Sequence, residues 1–198
     1  MRRLILAALV PLAACNPPAT DEYESRGLPE PTRTGPSVPI ASPDTTNSVW
    51  APTAGTAETP ERLVFGDPGT PPLLSIACVD TGAHHVIRFT RFAQADRDAK
   101  ALLAVIGNGH IGRFKVDAIP AGKRRVWQGD VAIDHPRLGA FDGPRQIEAT
   151  VPGGGSVMLH ASPLPIRLID ECRRLESERE AFNAAMEPPE LSLPATTE

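Results

Sequence analysis

Aromatic residues are scarce in this chain: one tyrosine, two tryptophans and six phenylalanines among 198 residues. Proteins that grip single-stranded nucleic acid stack its bases on such faces, and few are available here. Positive charge is not in surplus either. Twenty Lys and Arg stand against 24 Asp and Glu, a formal net charge of −4, which argues against non-specific binding to nucleic acid. A Gly-x-Ser-x-Gly nucleophile elbow is absent, and no internal repeat is visible. The apolar run at residues 4–14, broken by Pro11, falls short of the about 20 residues that a membrane-spanning helix requires.

What is present begins at the N-terminus. Arg2 and Arg3 precede that short apolar run, the charge order and length of a signal peptide over residues 1–14. It ends in Leu12-Ala13-Ala14-Cys15, which resembles the lipobox of bacterial lipoproteins. The resemblance implies cleavage before Cys15 and lipidation of that residue, with diacylglycerol on the thiol and a further acyl chain, such as palmitate, on the freed amine. One acyl chain holds a protein to a membrane only marginally, whereas several anchor it stably. Asn16 follows where an aspartate would be the inner-membrane retention signal, so the outer membrane is expected, with the protein facing the periplasm. Loss of Arg2 and Arg3 moves the formal charge from −4 to −6.

Residues 15–60 are rich in Pro, Thr, Ser, Ala and acidic side chains without hydrophobic periodicity. Such a segment buries too little apolar surface to offset the entropy of ordering, and its prolines favour an extended spacer. Trp50 stands out within it, as a docking element for a partner or as a residue packing on its own domain. Residues 61–175 have the composition of a globular domain. Leu74, Ile76 and Cys78 alternate with more polar neighbours. So do Ile87 and Phe89; Phe114, Val116 and Ala118; Trp127, Val131 and Ile133; Ile147, Ala149 and Val151; Val157 and Leu159. This period of two predicts strands. Residues 99–106 fit a buried strand or a helix, the strand being favoured by its neighbours. The expected fold is mainly β: a small antiparallel β-sandwich or barrel with a C-terminal α-helix. That helix starts near residues 163–165 and presents a stripe of Leu168, Cys172, Leu175, Phe182 and Met186. Residues 176–198 are expected to form its extension and a disordered tail.

Cys78 lies on the apolar side of a strand and Cys172 on the apolar stripe of the helix, so both point into one core. In an oxidising compartment two such thiols form a disulfide. The residues that could carry chemistry are dispersed. His84 and His85 are adjacent, and on a strand they would face opposite ways. His110 follows Asn108-Gly109, which reads as a hairpin turn and not as a phosphate loop. His135 precedes Pro136, and His160 ends a strand. Ser75, Ser156 and Ser162 lack a catalytic setting, and Asp117, Asp130, Asp134 and Asp142 fall on different strands or turns. Lys123-Arg124-Arg125 reads as a hairpin tip that could touch anionic lipid or a wall polymer. No catalytic, cofactor or metal site is expected.

Ser75-Ile76-Ala77-Cys78, Ile106-Gly107-Asn108-Gly109 and Ile169-Asp170-Glu171-Cys172, together with the lipobox and linker, resemble a family of alphaproteobacterial envelope lipoproteins. That resemblance implies no particular activity. Cys78, Cys172 and Val126-Trp127-Gln128-Gly129 also resemble periplasmic lysozyme-inhibitor lipoproteins, small β-barrels with an early and a late cysteine. Their Ser-Gly-x-x-Tyr inhibitory loop is missing; Tyr23, the only tyrosine, lies in the linker. The leading expectation is a non-catalytic, membrane-anchored envelope lipoprotein that binds or scaffolds an envelope protein or wall component, with no nucleic-acid partner. An inhibitor of a wall-degrading enzyme comes second, and a hydrolase or metal-binding protein third.

Overall fold

A computed structural model of the chain describes residues 38–54 and 62–186. The expected signal peptide, Cys15, the spacer as far as residue 37 and the tail beyond 186 lie outside the described residues. Among the described residues nine strands form one antiparallel sheet: β1 (Val49–Thr53), β2 (Arg62–Gly66), β3 (Leu74–Asp80), β4 (His85–Arg91), β5 (Lys100–Gly107), β6 (His110–Ala121), β7 (Arg124–Ala132), β8 (Ile147–Thr150) and β9 (Ser156–Leu159). Their order across the sheet is β1-β2-β3-β4-β7-β6-β5-β8-β9. The mainly β expectation holds, and residues 99–106 belong to a strand.

The sheet curls into a nearly closed barrel. Trp50 of β1 packs on Phe65 of β2, ring centroids 5.2 Å apart, and donates from Nε1 to the His160 carbonyl beyond β9 at 3.3 Å. The backbone before β1 follows the same seam: Ile40 N–H donates to the Gly153 carbonyl at 2.8 Å. Trp50 and its strand therefore belong to the folded domain, which corrects a boundary at residue 61. Trp50 packs on its own domain.

Phe89 lies inside the curl, stacked on Phe114 at 5.2 Å and on Phe141 at 5.7 Å. Phe141 comes from a short 3-10 helix, Pro136–Phe141, whose Leu138, Ala140 and Phe141 are buried. The His135 ring caps this turn by accepting from Arg137 N–H, so the expected turn at His135-Pro136 also supplies core. Full burial of each such side chain stabilises by about 1.5–3 kcal/mol. At the hairpin tip, Asn108 and Gly109 both have positive φ, 48° and 84°, as a two-residue β-turn of matching twist requires.

β6 pairs with β5 through His110–Asp117 and with β7 through Asp117–Ala121. Where it changes neighbour, its backbone passes close over Gly129 of β7. A Cβ at Gly129 would sit 1.9 Å from the Lys115 carbonyl oxygen, so glycine is required there by close approach.

The α-helix α1 (Leu164–Met186) follows the sheet. Ser162 Oγ accepts from Leu164 N–H at 3.2 Å, and proline is tolerated in the first turn. Its buried positions are Pro165, Ile169, Cys172 and Glu176, spaced four, three and four apart on one face. The expected stripe is corrected at its far end: Phe182 and Met186 are 65% and 69% exposed. Cys172 is joined to Cys78 of β3 by a disulfide, Cα atoms 5.5 Å apart.

Candidate functional site

Two features of the surface carry unusual side-chain arrangements. The first is a cleft of about 400 Å³ between α1 and the ends of β4 and β7, lined by His84, His85, Asp134, Arg173, Glu176 and Glu180 among others. Because β4 begins at His85 and α1 is pinned beside it by the Cys78–Cys172 bond, Glu176 is brought one helical turn along to meet His85. Its Oε2 accepts from the His85 backbone N–H and lies 2.7 Å from Nδ1. Arg179 completes a fork on the same carboxylate through Nε and NH2. The Arg179 guanidinium, supported by the backbone and ring of His85, lowers the Glu176 carboxyl to about 2.

This network is largely buried, with the side chains of His85 and Glu176 exposed by 12% and 11%. An imidazole held by a carboxylate at Nδ1 presents Nε2 as a base. Yet among the described residues no hydroxyl or thiol is hydrogen-bonded to it, and Ser177 Oγ donates to the Arg173 carbonyl instead. The polar atoms here tie helix to sheet. Among the described residues no group of three or more His, Cys, Asp or Glu is placed to hold a metal ion.

The second feature is the outer face of β5, β6, β8 and β9. Register places Ile106 opposite Ile111, next to Glu148, which in turn faces Met158. In the adjoining rows Ala104 pairs with Arg113 and Leu102 with Lys115. Leu102, Ile106, Ile111 and Met158 are 45%, 42%, 48% and 36% exposed. The odd-numbered partners on β5, Leu103 and Val105, are wholly buried, so the run is apolar on both faces and only one is needed for the core. At the edge of this face a groove of about 450 Å³ is bounded by Pro39, Ile40, Leu102, Ala104 and Pro152. Beneath its glycine turn lies Arg91, 3% exposed, donating to the carbonyls of Leu73 and Gly154 at 3.0 and 2.7 Å. Burial lowers this guanidinium to about 10. Its Nε, and the indole Nε1 of its cross-strand partner Trp127, have no hydrogen-bond partner among the described residues.

The remaining residues named from sequence are spread out. Cys78 and Cys172 are brought together; Cys15 lies outside the described residues. Of the five histidines only His84 and His85 share a cleft, while His160 packs edge-on against Phe65. Asp117 faces Lys100 at 3.5 Å and Asp130 pairs with Arg88. Ser75 is buried in β3, Ser156 donates to Glu148, and Ser162 caps the helix. Lys123 stands at the β6–β7 hairpin tip beside Gly122 at φ 62°, while Arg124 and Arg125 already belong to β7, paired with Ala121 and Pro120. Trp127, within Val126-Trp127-Gln128-Gly129, is 1% exposed and belongs to the core. Sequence reasoning missed Glu176, Arg179 and the outward set on β5 and β6; the partnership of His85 with Glu176 spans 91 residues and leaves no local signal. Neither a scan against protein-family models nor searches of the curated proteins and of the solved structures returns a match.

Proposed function

We propose that the chain is a lipid-anchored component of the cell envelope, held through Cys15, whose β domain binds or scaffolds another envelope component without catalysing a reaction on it. The observation that carries the binding role is the outer face of β5, β6, β8 and β9. Its aliphatic side chains are exposed as a group, where isolated exposed aliphatics would need no explanation. The non-catalytic part is supported by the cleft at His85, where His85, Glu176 and Arg179 are engaged with one another. The lipobox-like Leu12-Ala13-Ala14-Cys15 supports the anchor, and Asn16 supports residence in the outer membrane, facing the periplasm.

A photo-reactive residue at Ile106 or Ile111, introduced into the chain in its native cells, tests the face. Adducts to an envelope component are expected there and not from the same residue at Phe182. Equal labelling from all three positions would overturn the assignment. The anchor is tested separately by mass spectrometry of the mature N-terminus; an unmodified or uncleaved Cys15 ends that part of the proposal.

A further inference from the structure

We infer that the component met by the outer face of β5, β6, β8 and β9 is an anionic lipid surface. This deepens the binding role proposed above and rests on it. Three observations converge. The exposed apolar side chains Leu102, Ile106, Ile111 and Met158 stand on the outer side of a curled sheet, Ile106 paired with Ile111 and divided from Met158 by Glu148. A protein partner gains most from anchors seated in complementary pockets; lipid needs no such pocket.

Charge supplies the second observation. Arg113 and Lys115, next to the aliphatic rows, make no ion pair among the described residues. Of the carboxylates on this face, Asp117 is paired with Lys100 and Glu148 accepts only from the neutral Ser156 Oγ at 2.6 Å, which leaves the face with one net positive charge among Lys100, Arg113, Lys115, Asp117 and Glu148. Long basic side chains can lay their stems along apolar surface and direct their heads to phosphate.

The third is the path of the chain. Ile40 borders the groove beside Leu102 and Ala104, and Val38 and Ile40 are 75% and 42% exposed, so the polypeptide leading back toward Cys15 joins the fold on this flank. Twenty-two residues separate Cys15 from Val38, so the chain that would tether the domain to the surface holding Cys15 leaves the fold from this flank.

The test uses the chain from position 15 onward with Cys15→Ser, which retains every described residue and carries no acyl chain, so its outcome does not depend on lipidation. Flotation with vesicles of phosphatidylglycerol and phosphatidylethanolamine should carry the protein upward, and vesicles of phosphatidylcholine alone should not. Arg113→Glu with Lys115→Glu should weaken binding about 30-fold or more, and Ile106→Asp with Ile111→Asp should abolish it, with the circular dichroism spectrum unchanged. Failure to float with the anionic vesicles, or flotation indifferent to all four substitutions, overturns the inference. So does a dimer in sedimentation equilibrium that the aspartate pair dissociates, since the occupant would then be a second copy. An acylated Cys15 beside a negative flotation result would leave the anchor standing and remove only the lipid face.

Discussion

Single residues in this domain differ sharply in what they tolerate, and two glycines show why. Gly129 lies under the Lys115 carbonyl, an obstacle of backbone that cannot swing aside. Gly129→Ala should destabilise by more than about 3 kcal/mol, or prevent folding, because β6 would have to leave β7 where it changes neighbour. Gly122, at φ 62°, meets nothing within 4 Å of a Cβ, so Gly122→Ala should lose only the about 1–2 kcal/mol of an alanine held in the left-handed region. Urea denaturation of the two variants compares them directly, and equal losses would contradict the crowded position of Gly129. In sequence both are simply glycines near a predicted strand. Steric need at Gly129 depends on a strand that pairs elsewhere, so residue-level legibility ends where a contact is non-local. The same holds for Glu176, a charged residue at an inward helix position that becomes intelligible only beside His85 and Arg179.

At the scale of elements, alternation made β3, β4 and β6 to β9 legible, because a half-buried strand repeats every two residues, whereas β5 fits strand or helix and reads as a strand only from its neighbours. Alternation could not say which face of Leu102-Leu103-Ala104-Val105-Ile106 would be exposed, since both are apolar. For α1 the hydrophobic stripe misled beyond Leu175, as Phe182 and Met186 extend past the sheet while Glu176 lies inward. What fixes the helix is therefore covalent and ionic as well as apolar. The disulfide spans a sequence separation of 94, for which the chain-entropy treatment gives about 4–5 kcal/mol. Cys78→Ala and Cys172→Ala should each lower stability by about that amount while Ile169 still packs, and the double variant should be little worse, because one bond is lost in all three. A double variant much worse than either single one would mean that the thiols contribute separately. The carboxylate makes a prediction in pH. Glu176, with Arg179 as its main partner, titrates at about 2 in the fold against 4.5 for a free carboxyl. Its contribution is thus complete above about pH 4.5 and is lost as the pH falls toward 2. Glu176→Gln should lower the melting temperature near neutral pH and flatten its fall on acidification; an unchanged acid limb would remove Glu176 from the linkage.

For the whole molecule, the decisive link is the seam between the two ends of the sheet, and it was the least legible part of the sequence. β1 is only five residues, Val-Trp-Ala-Pro-Thr, set in a run of prolines and threonines that resembles a spacer; proline inside a strand is accommodated only at an edge or bulge. Nothing local tells such an edge strand from a linker. Its partner across the seam, His160, is 110 residues away from Trp50. Yet Trp50 closes the curl, at 9% exposure, with its ring on Phe65 and its indole N–H on the His160 carbonyl. Trp50→Ala should therefore destabilise the domain by about 3–5 kcal/mol, the range for a truncated core aromatic. A chain beginning at residue 61 should fare worse. Without β1 the outer side of β2 becomes an unpaired edge, with Phe65 uncovered, and such edges recruit other strands. The expected result is a protein that elutes as oligomers or aggregates and unfolds without a sharp transition, whereas a chain beginning at residue 38 elutes as one species and melts cooperatively. Size-exclusion chromatography and thermal melts of the two truncations decide the point: equal behaviour would return residues 38–54 to the role of spacer and place the edge of the domain at β2.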